Sequence, residues 1–230
     1  VSVMHAQLVL PRRAERVSDR HLVLVANGSA SGLGHSRERL DAAHSALRSA
    51  GVAIETHLTE SVDELSAEWP AFQDRRVVLL GGDGTLHAAA NLPFGPPERA
   101  LLPAGRANNV ARALGIPLDL RAPARLASSG VVRPIDLISA SNGTRNMFVV
   151  EGVSVGLHAV ARASYRAPNS ADVRAAVRTG LAAARRFDGV TLCVSSDGDA
   201  AMLRLAQLFV ATLSLYPFGL QAAPGAQADD

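Results

Sequence analysis

At 230 residues, 48% of them apolar, the chain can bury a full core and fits one large domain or two small ones. It has a single cysteine, Cys193, and no lysine, so all 23 basic residues are arginine. These counts exclude a disulfide framework and a thiolate zinc site, and with them P-loop, protein-kinase and Schiff-base chemistry, each of which needs a lysine amine.

The run from His21 to Ala26 reads as a buried strand ending in a small-residue turn, Asn27 to Gly32. A helix over about 36–50 follows, with Leu40, Ala43, Leu47 and Ala50 on one stripe and Gly51 as its C-cap. Val52 to Leu58 reads as a second strand, and Val62, Leu65, Trp69 and Phe72 space a second helix. The strand from Arg76 then runs into Gly81-Gly-Asp-Gly-Thr85, after which Thr85 opens a helix through Leu86 and Ala90. A strand over Ala100–Leu102 ends at a third small-residue turn, Pro103 to Arg112. This alternation predicts a parallel sheet with helices on its faces, and it places all three turns beyond the carboxyl ends of strands, where such sheets bind ligands.

Gly81, Gly82 and Gly84 leave no side chain between the backbone amides and an anion, and the helix that follows favours negative charge at its start. Asp83 among those donors repels phosphate unless it holds a cation or a ribose hydroxyl, so it suggests nucleotide chemistry with magnesium. The plain alternative is a glycine-rich strand-to-helix turn of any α/β protein.

After Arg133 the grammar changes. Ile135–Ser139, Met147–Val155, Gly189–Ser195 and Met202–Leu213 read as strands, and only 170–187 is strongly helical, with Val173, Val177, Leu181 and Ala184 on one face. The expectation is therefore a nucleotide-binding α/β domain over 1–134 and a mainly antiparallel, sandwich-like β domain over 135–230, with Cys193 as a small core residue.

A net charge of +2 and 4% aromatics argue against nucleic acid as a partner, while a mild basic bias suits an anionic membrane surface. No apolar run reaches the roughly 20 residues of a membrane span, and Arg12 and Arg13 after a short apolar run do not read as a signal peptide. The expected location is cytoplasmic, peripheral at the inner membrane face.

With Gly81 to Thr85, the Pro103-x-Gly105 turn leading through Asn108 to Arg112, and Ile135-Asp136, the chain resembles the diacylglycerol kinase catalytic-domain superfamily from about residue 21 onward. This superfamily takes in bacterial lipid kinases and sphingosine kinases. The resemblance implies transfer of the ATP γ-phosphate to a lipid hydroxyl, with ATP and Mg2+ as cofactors and a lipid at a membrane surface as substrate. A homodimer is among the assemblies it leaves open. By resemblance Asn27, Gly28, Gly81, Gly82, Asp83, Gly84 and Thr85 contact the nucleotide, Gly105, Arg106 and Asn108 border its phosphates, and the catalytic residues are Asp83 and Asp230, the latter as general base. Metal ligands are not assigned. The family continues with Gly after the final aspartates, so the resemblance implies a β domain that runs past Asp230.

The site departs from the family pattern in three places. Leu86-His87-Ala88 replaces Leu-Asn-Glu, Gly105-Arg106-Ala107-Asn108-Asn109 replaces Gly-Thr-x-Asn-Asp, and Glu151 to His158 stands where the family prefers Asn, a glycine pair and an aspartate. His87 and His158 read more plainly as packed or satisfied histidines than as catalysts, and Asp136 either supports the turn between domains or touches the site. Phe209 to Leu220 packs as a final strand or lines an acyl pocket. Two other readings stand beside the lipid kinase: a nucleotide-binding or scaffold homologue of weakened catalysis, and an NAD kinase-like enzyme acting on a soluble nucleotide.

Overall fold

The structure, a computed structural model, describes residues 2–4, 22–28, 36–92, 98–141, 144–164, 173–196, 198–216, 220–221, 223 and 225–226. Asp230, the Ser29 to Gly32 half of the first turn, and Phe218 lie outside them. The chain packs as two units, Val1–Glu151 with Ala211–Asp230, and Gly152–Val210.

The first unit is built on a parallel sheet of β2 (Leu22–Asn27), β3 (Ile54–Thr59), β4 (Val77–Gly81) and β5 (Arg99–Pro103), in the order β3-β2-β4-β5. Strands β2 and β4 are buried along their whole apolar runs because helices cover both faces of the sheet. Alternate residues serve opposite layers. Val23, Val25, Val77 and Leu79 pack with Leu65, Trp69, Phe72, Leu86 and Val110, whereas Leu22, Leu24, Val78 and Leu80 pack with Ala43, Leu47, Ala124 and Ala127. The covering helices are α1 (Ser36–Ser49), α2 (Val62–Glu68), α3 (Asp83–Ala90), α4 (Asn109–Ala113) and α5 (Arg121–Ser129).

Three local differences from the sequence reading have simple causes. The helix expected through Phe72 becomes a 3-10 turn at Trp69–Phe72, since Pro70 has no amide hydrogen to continue the α-helical ladder. Helix α3 starts at Asp83, not Thr85, so Asp83 and Gly84 belong to its first turn. The strand expected over Met147–Val155 is two strands, β7 (Asn146–Val149) and β8 (Gly152–Gly156), interrupted at Val150-Glu151.

Strand β7 pairs antiparallel with β6 (Leu137–Ser141), which pairs on its other side with β1 (Ser2–Met4). Asn91, just past α3, holds β7 in the first unit by donating to the Phe148 carbonyl at 2.7 Å and accepting from the Phe148 amide at 2.8 Å. The packing thus divides at 151/152 and 210/211 instead of at the change of strand grammar near residue 135. After the second unit, β12 (Leu215–Tyr216) and β13 (Leu220–Gln221) pair antiparallel in the first.

The second unit contains β8, α6 (Leu157–Ser164), α7 (Val173–Arg186), β9 (Val190–Ser196), β10 (Asp199–Leu205) and most of β11 (Gln207–Ala211). Strand β8 pairs with β11, and β9 pairs antiparallel with β10. Helix α6 was not legible in the sequence, because eight residues do not establish a helical period against the surrounding strands. Cys193 is exposed, contrary to expectation, since it lies on the two-stranded β9-β10 ribbon.

One buried ion ties the sheet together. Arg76 is 6% exposed; its Nε donates to Glu98 Oε2 at 2.6 Å and its Nη1 to the Ala127 carbonyl of α5 at 2.8 Å. Glu98→Ala leaves that guanidinium buried without its counter-charge and is expected to cost about 3 kcal/mol of stability in urea denaturation. A loss below about 0.5 kcal/mol would show the pair to be idle.

Candidate functional site

The carboxyl ends of the four parallel strands bring Thr59, Asn27, Gly81 and Pro103 side by side, through the registers Asn27↔Thr59, Ala26↔Leu80 and Gly81↔Pro103. The turns after β4 and β5 touch. A Cβ on Gly105 would lie 2.5 Å from the Gly82 Cα, and one on Gly82 would lie 2.8 Å from the Gly105 Cα, so two backbones meet where only glycine fits. The Ala104 amide closes the pair by donating to the Gly81 carbonyl at 2.7 Å.

Asn108 latches the second turn. It adopts the left-handed conformation at φ 50°, accepts from the Gly105 amide at 2.9 Å and donates to the Gly105 carbonyl at 3.0 Å. Both ends of its side-chain amide are therefore spent on the turn itself. Thr85 is buried with its side chain packed against Gly81, where a Cβ would collide with the Thr85 hydroxyl. Gly84 is different: a Cβ there meets nothing within 4 Å, so packing does not demand glycine. Arg106 is exposed on the same turn, while Arg112 Nε donates to the Ala107 carbonyl at 3.1 Å. Beside Gly105 lies a pocket of about 360 Å³ lined by Arg39, Pro103, Asn108, Leu118 and Asp119 among others.

Asp83 accepts from the Val110 amide at 3.0 Å through Oδ1, so the carboxylate that opens α3 also caps α4. Close to it stands Glu151, which the sequence reading did not select. The Asn109 side chain hydrogen-bonds the Glu151 carboxyl, and Asn109 is itself buried. The Glu151 backbone is fixed from the other side, where Thr212 donates its amide to the Glu151 carbonyl at 3.1 Å and its hydroxyl to the Val150 carbonyl at 2.5 Å. Positions 109 and 151, read separately as a lost acid and a lost asparagine, are thus in contact through one hydrogen bond.

Burial pushes the Glu151 carboxyl above the ordinary glutamate range, the Asp83 charge pushes it further, and the Asn109 hydrogen bond works against both. Thr59 was also missed. Its hydroxyl is buried at the end of β3 without a hydrogen-bond partner among the described residues, and its carbonyl accepts from the Gly28 amide at 2.8 Å. The signal was its place one residue beyond the predicted strand. Asn27 is half-buried at the end of β2, and Asp136 is half-buried just before β6. His87 is half-buried in α3, with its carbonyl accepting from Asn91 Nδ2 at 2.9 Å. In the second unit, His158 Nδ1 lies 2.8 Å from Ser154 Oγ and its amide donates to Gln207 at 2.7 Å; burial first, then Arg162, holds its imidazole below the usual range.

This geometry is that of an α/β protein presenting two glycine turns and a carboxylate at the carboxyl edge of its sheet. The diacylglycerol kinase catalytic domain family matches residues 21–140, more than half of the chain, and the chain belongs to that family. A curated relative, the "Probable lipid kinase YegS-like" of Shewanella frigidimarina, is 37% identical over 118 residues, which are 47% of this chain and 37% of that protein. The match therefore spans little more than a third of the relative's length. A solved structure of a diacylglycerol kinase from Bacillus anthracis superposes with a TM-score of 0.68 at 22% identity, covering 92% of this chain and 72% of that one. At that identity the likeness establishes the fold.

Two outcomes follow from the site's packing. Gly105→Ala forces its new methyl against the Gly82 backbone and is expected to lower stability by about 2 kcal/mol, read by urea denaturation. For Glu151, a folded-state value above the unfolded one means that ionisation costs stability as pH rises. Glu151→Gln keeps the shape without the charge, so its melting temperature should exceed that of the parent at neutral pH, with the gap closing as pH falls below the ordinary glutamate value of 4.5. Equal melting temperatures at neutral pH would show a fully solvated carboxyl.

Proposed function

We propose that the chain is the catalytic part of an ATP-dependent lipid kinase, transferring the γ-phosphate to the hydroxyl of a diacylglycerol-like lipid. The observation that carries this reading is the contact of the Gly82 and Gly105 turns with Asp83 beside them. Family membership supports it.

In this reading the open backbone at Gly84 and the start of α3 receive phosphate, since packing gives no other reason for glycine there. Exposed Arg106 supplies a guanidinium where the family has a hydroxyl, a stronger and bidentate partner for a phosphate. Among the described residues no three His, Cys, Asp or Glu side chains form a group able to hold a metal. In this reading magnesium comes to the site largely on nucleotide phosphates and takes one or two carboxylates from the protein, here Asp83. When bound, it neutralises charge developing on the phosphates.

Transfer forms a bond from the lipid hydroxyl oxygen to the γ-phosphorus as the bond to the bridging oxygen breaks; ADP leaves, and the hydroxyl proton passes to a carboxylate. By family resemblance that base is Asp230. Positioning and charge carry most of such a reaction, which suits a chain without lysine. The peripheral membrane location belongs to the same proposal; no helix among the described residues is long and apolar enough to cross a membrane.

A second reading, a nucleotide-binding homologue of weak activity, is favoured by the amide at Asn109 and the inward use of Asn108. Labelled ATP, magnesium and diacylglycerol micelles separate the two. Transfer supports the kinase, ATP binding without transfer supports the homologue, and transfer to NAD in place of lipid overturns both. Asp83→Asn is expected to lower turnover at least about a hundredfold, roughly 2.7 kcal/mol. Unchanged turnover would make the turn structural only.

A further inference from the structure

One arginine is drawn out of water without a counter-charge. Among the described residues Arg39, Arg75 and Arg76 are the arginines that are not exposed. Arg75 pairs with Glu55 at 2.6 Å and Arg76 with Glu98 at 2.6 Å. Arg39, half-buried near the start of α1, forms no ion pair among the described residues; its Nη1 donates to the Ala104 carbonyl at 2.5 Å. A guanidinium is a fork of several N–H donors, so one bond to a neutral carbonyl leaves most of that capacity, and the charge, unmatched. Partial burial makes such an arrangement costly unless an anion completes it.

Arg39 lines the pocket of about 360 Å³ at the carboxyl end of β5, the side of a parallel sheet on which ligands bind. Pro103, Leu118 and Leu120 give it apolar walls. Gly105 lines it too and meets Gly82 behind, so the pocket adjoins the contact of the two glycine turns. The other polar side chains on its wall are committed. Asn108 spends both ends of its amide on Gly105, and Asp119 Oδ1 accepts the Arg121 amide at 3.0 Å and the Ala122 amide at 3.1 Å. Asp119 shares the pocket with Arg39 without pairing with it. Arg39 is therefore the cation that an incoming anion meets, and a planar guanidinium matches the oxygens of a phosphate.

We propose that Arg39 is a phosphate-binding residue, holding a phosphate group in the pocket beside Gly105. Two carriers share that chemistry: the nucleotide bound at the glycine turns, for which the proposal rests on the kinase reading, and inorganic phosphate, for which it does not.

The test is calorimetric titration of the full chain with ATP and, separately, with inorganic phosphate. Arg39→Gln keeps a donor for the Ala104 carbonyl but removes the charge, and should weaken the ligand that reaches the pocket about tenfold. Arg39→Lys returns the charge without the planar fork and should recover about threefold of that loss. Arg37→Gln, exposed on the same helix and outside the pocket, should change affinity less than about twofold. The parent's affinity should also fall more steeply with salt than that of Arg39→Gln, a difference that a clamp on Ala104 alone does not produce. Loss of ATP affinity assigns the pocket to the nucleotide, and loss confined to inorganic phosphate assigns it to the free ion. Unchanged affinity for both, or equal losses in Arg37→Gln and Arg39→Gln, overturns the proposal even where the parent phosphorylates lipid. A parent that binds ATP through Arg39 yet transfers nothing sinks the kinase reading and leaves Arg39 standing. If Arg39→Gln fails to fold, phenylglyoxal modification of the parent, mapped by peptide mass, decides: shielding of Arg39 by ATP or phosphate supports the proposal, and equal modification with and without both ligands overturns it.

Discussion

The site depends on a contact between two backbones. Gly82 and Gly105 approach so closely that neither position accepts a Cβ without displacing the other. That approach puts the start of α3 beside the start of α4, which lets one carboxylate, Asp83, open the first helix and cap the second. The contact is held from behind by the Ala104 amide on the Gly81 carbonyl and from within by the Asn108 latch on Gly105. Asn108 accepts left-handed backbone strain for this, which asparagine bears at less cost than most residues. What looks in sequence like a row of ligand contacts is therefore partly scaffold: Thr85 and Asn108 shape the turns, leaving Gly84 and Arg106 open on them.

Glu151 places a second carboxyl near Asp83. The Asn109 side chain hydrogen-bonds the Glu151 carboxyl, and that carboxyl lies close enough to Asp83 for the two charges to interact. Holding it there requires the strand to stop. Between β7 and β8 the backbone at Val150 and Glu151 pairs with Thr212, while Val150 and Leu213 bury into the core beneath. Two carboxyl groups near one another with partial burial cost stability when both are ionised, and Asn109 offsets only part of that cost.

The parallel half of the fold was legible because its strands are buried on both faces and read as unbroken apolar runs, as Val77 to Leu80 does, separated by helices with clear periods. The turns after β4 and β5 were legible for the same reason, as each ends such a run. Legibility failed where a tertiary partner decides the outcome. Nothing local in Met147–Val155 announces that Thr212, some sixty residues on, breaks the strand at Glu151. Nor does the sequence tell whether an asparagine faces a ligand or its own turn; Asn108 does the latter because the Gly105 amide and carbonyl are both within reach. Thr59 was missed by a single residue of strand boundary, the scale on which such boundaries are least certain.

The absence of lysine has a consequence for how the protein responds to pH. Every cation outside the histidines is a guanidinium, which does not deprotonate in a protein. The positive faces at Arg106 and along α7 therefore keep their charge across the physiological range. His158 is held below the usual imidazole range by burial and Arg162, which favours its neutral form there. Glu151 is shifted the other way, toward neutrality from above the carboxylate range, by burial and by Asp83. Phosphate attraction by the arginines is thus insensitive to pH, whereas the Glu151 carboxyl, between β7 and β8, is held toward its neutral form by burial and by Asp83.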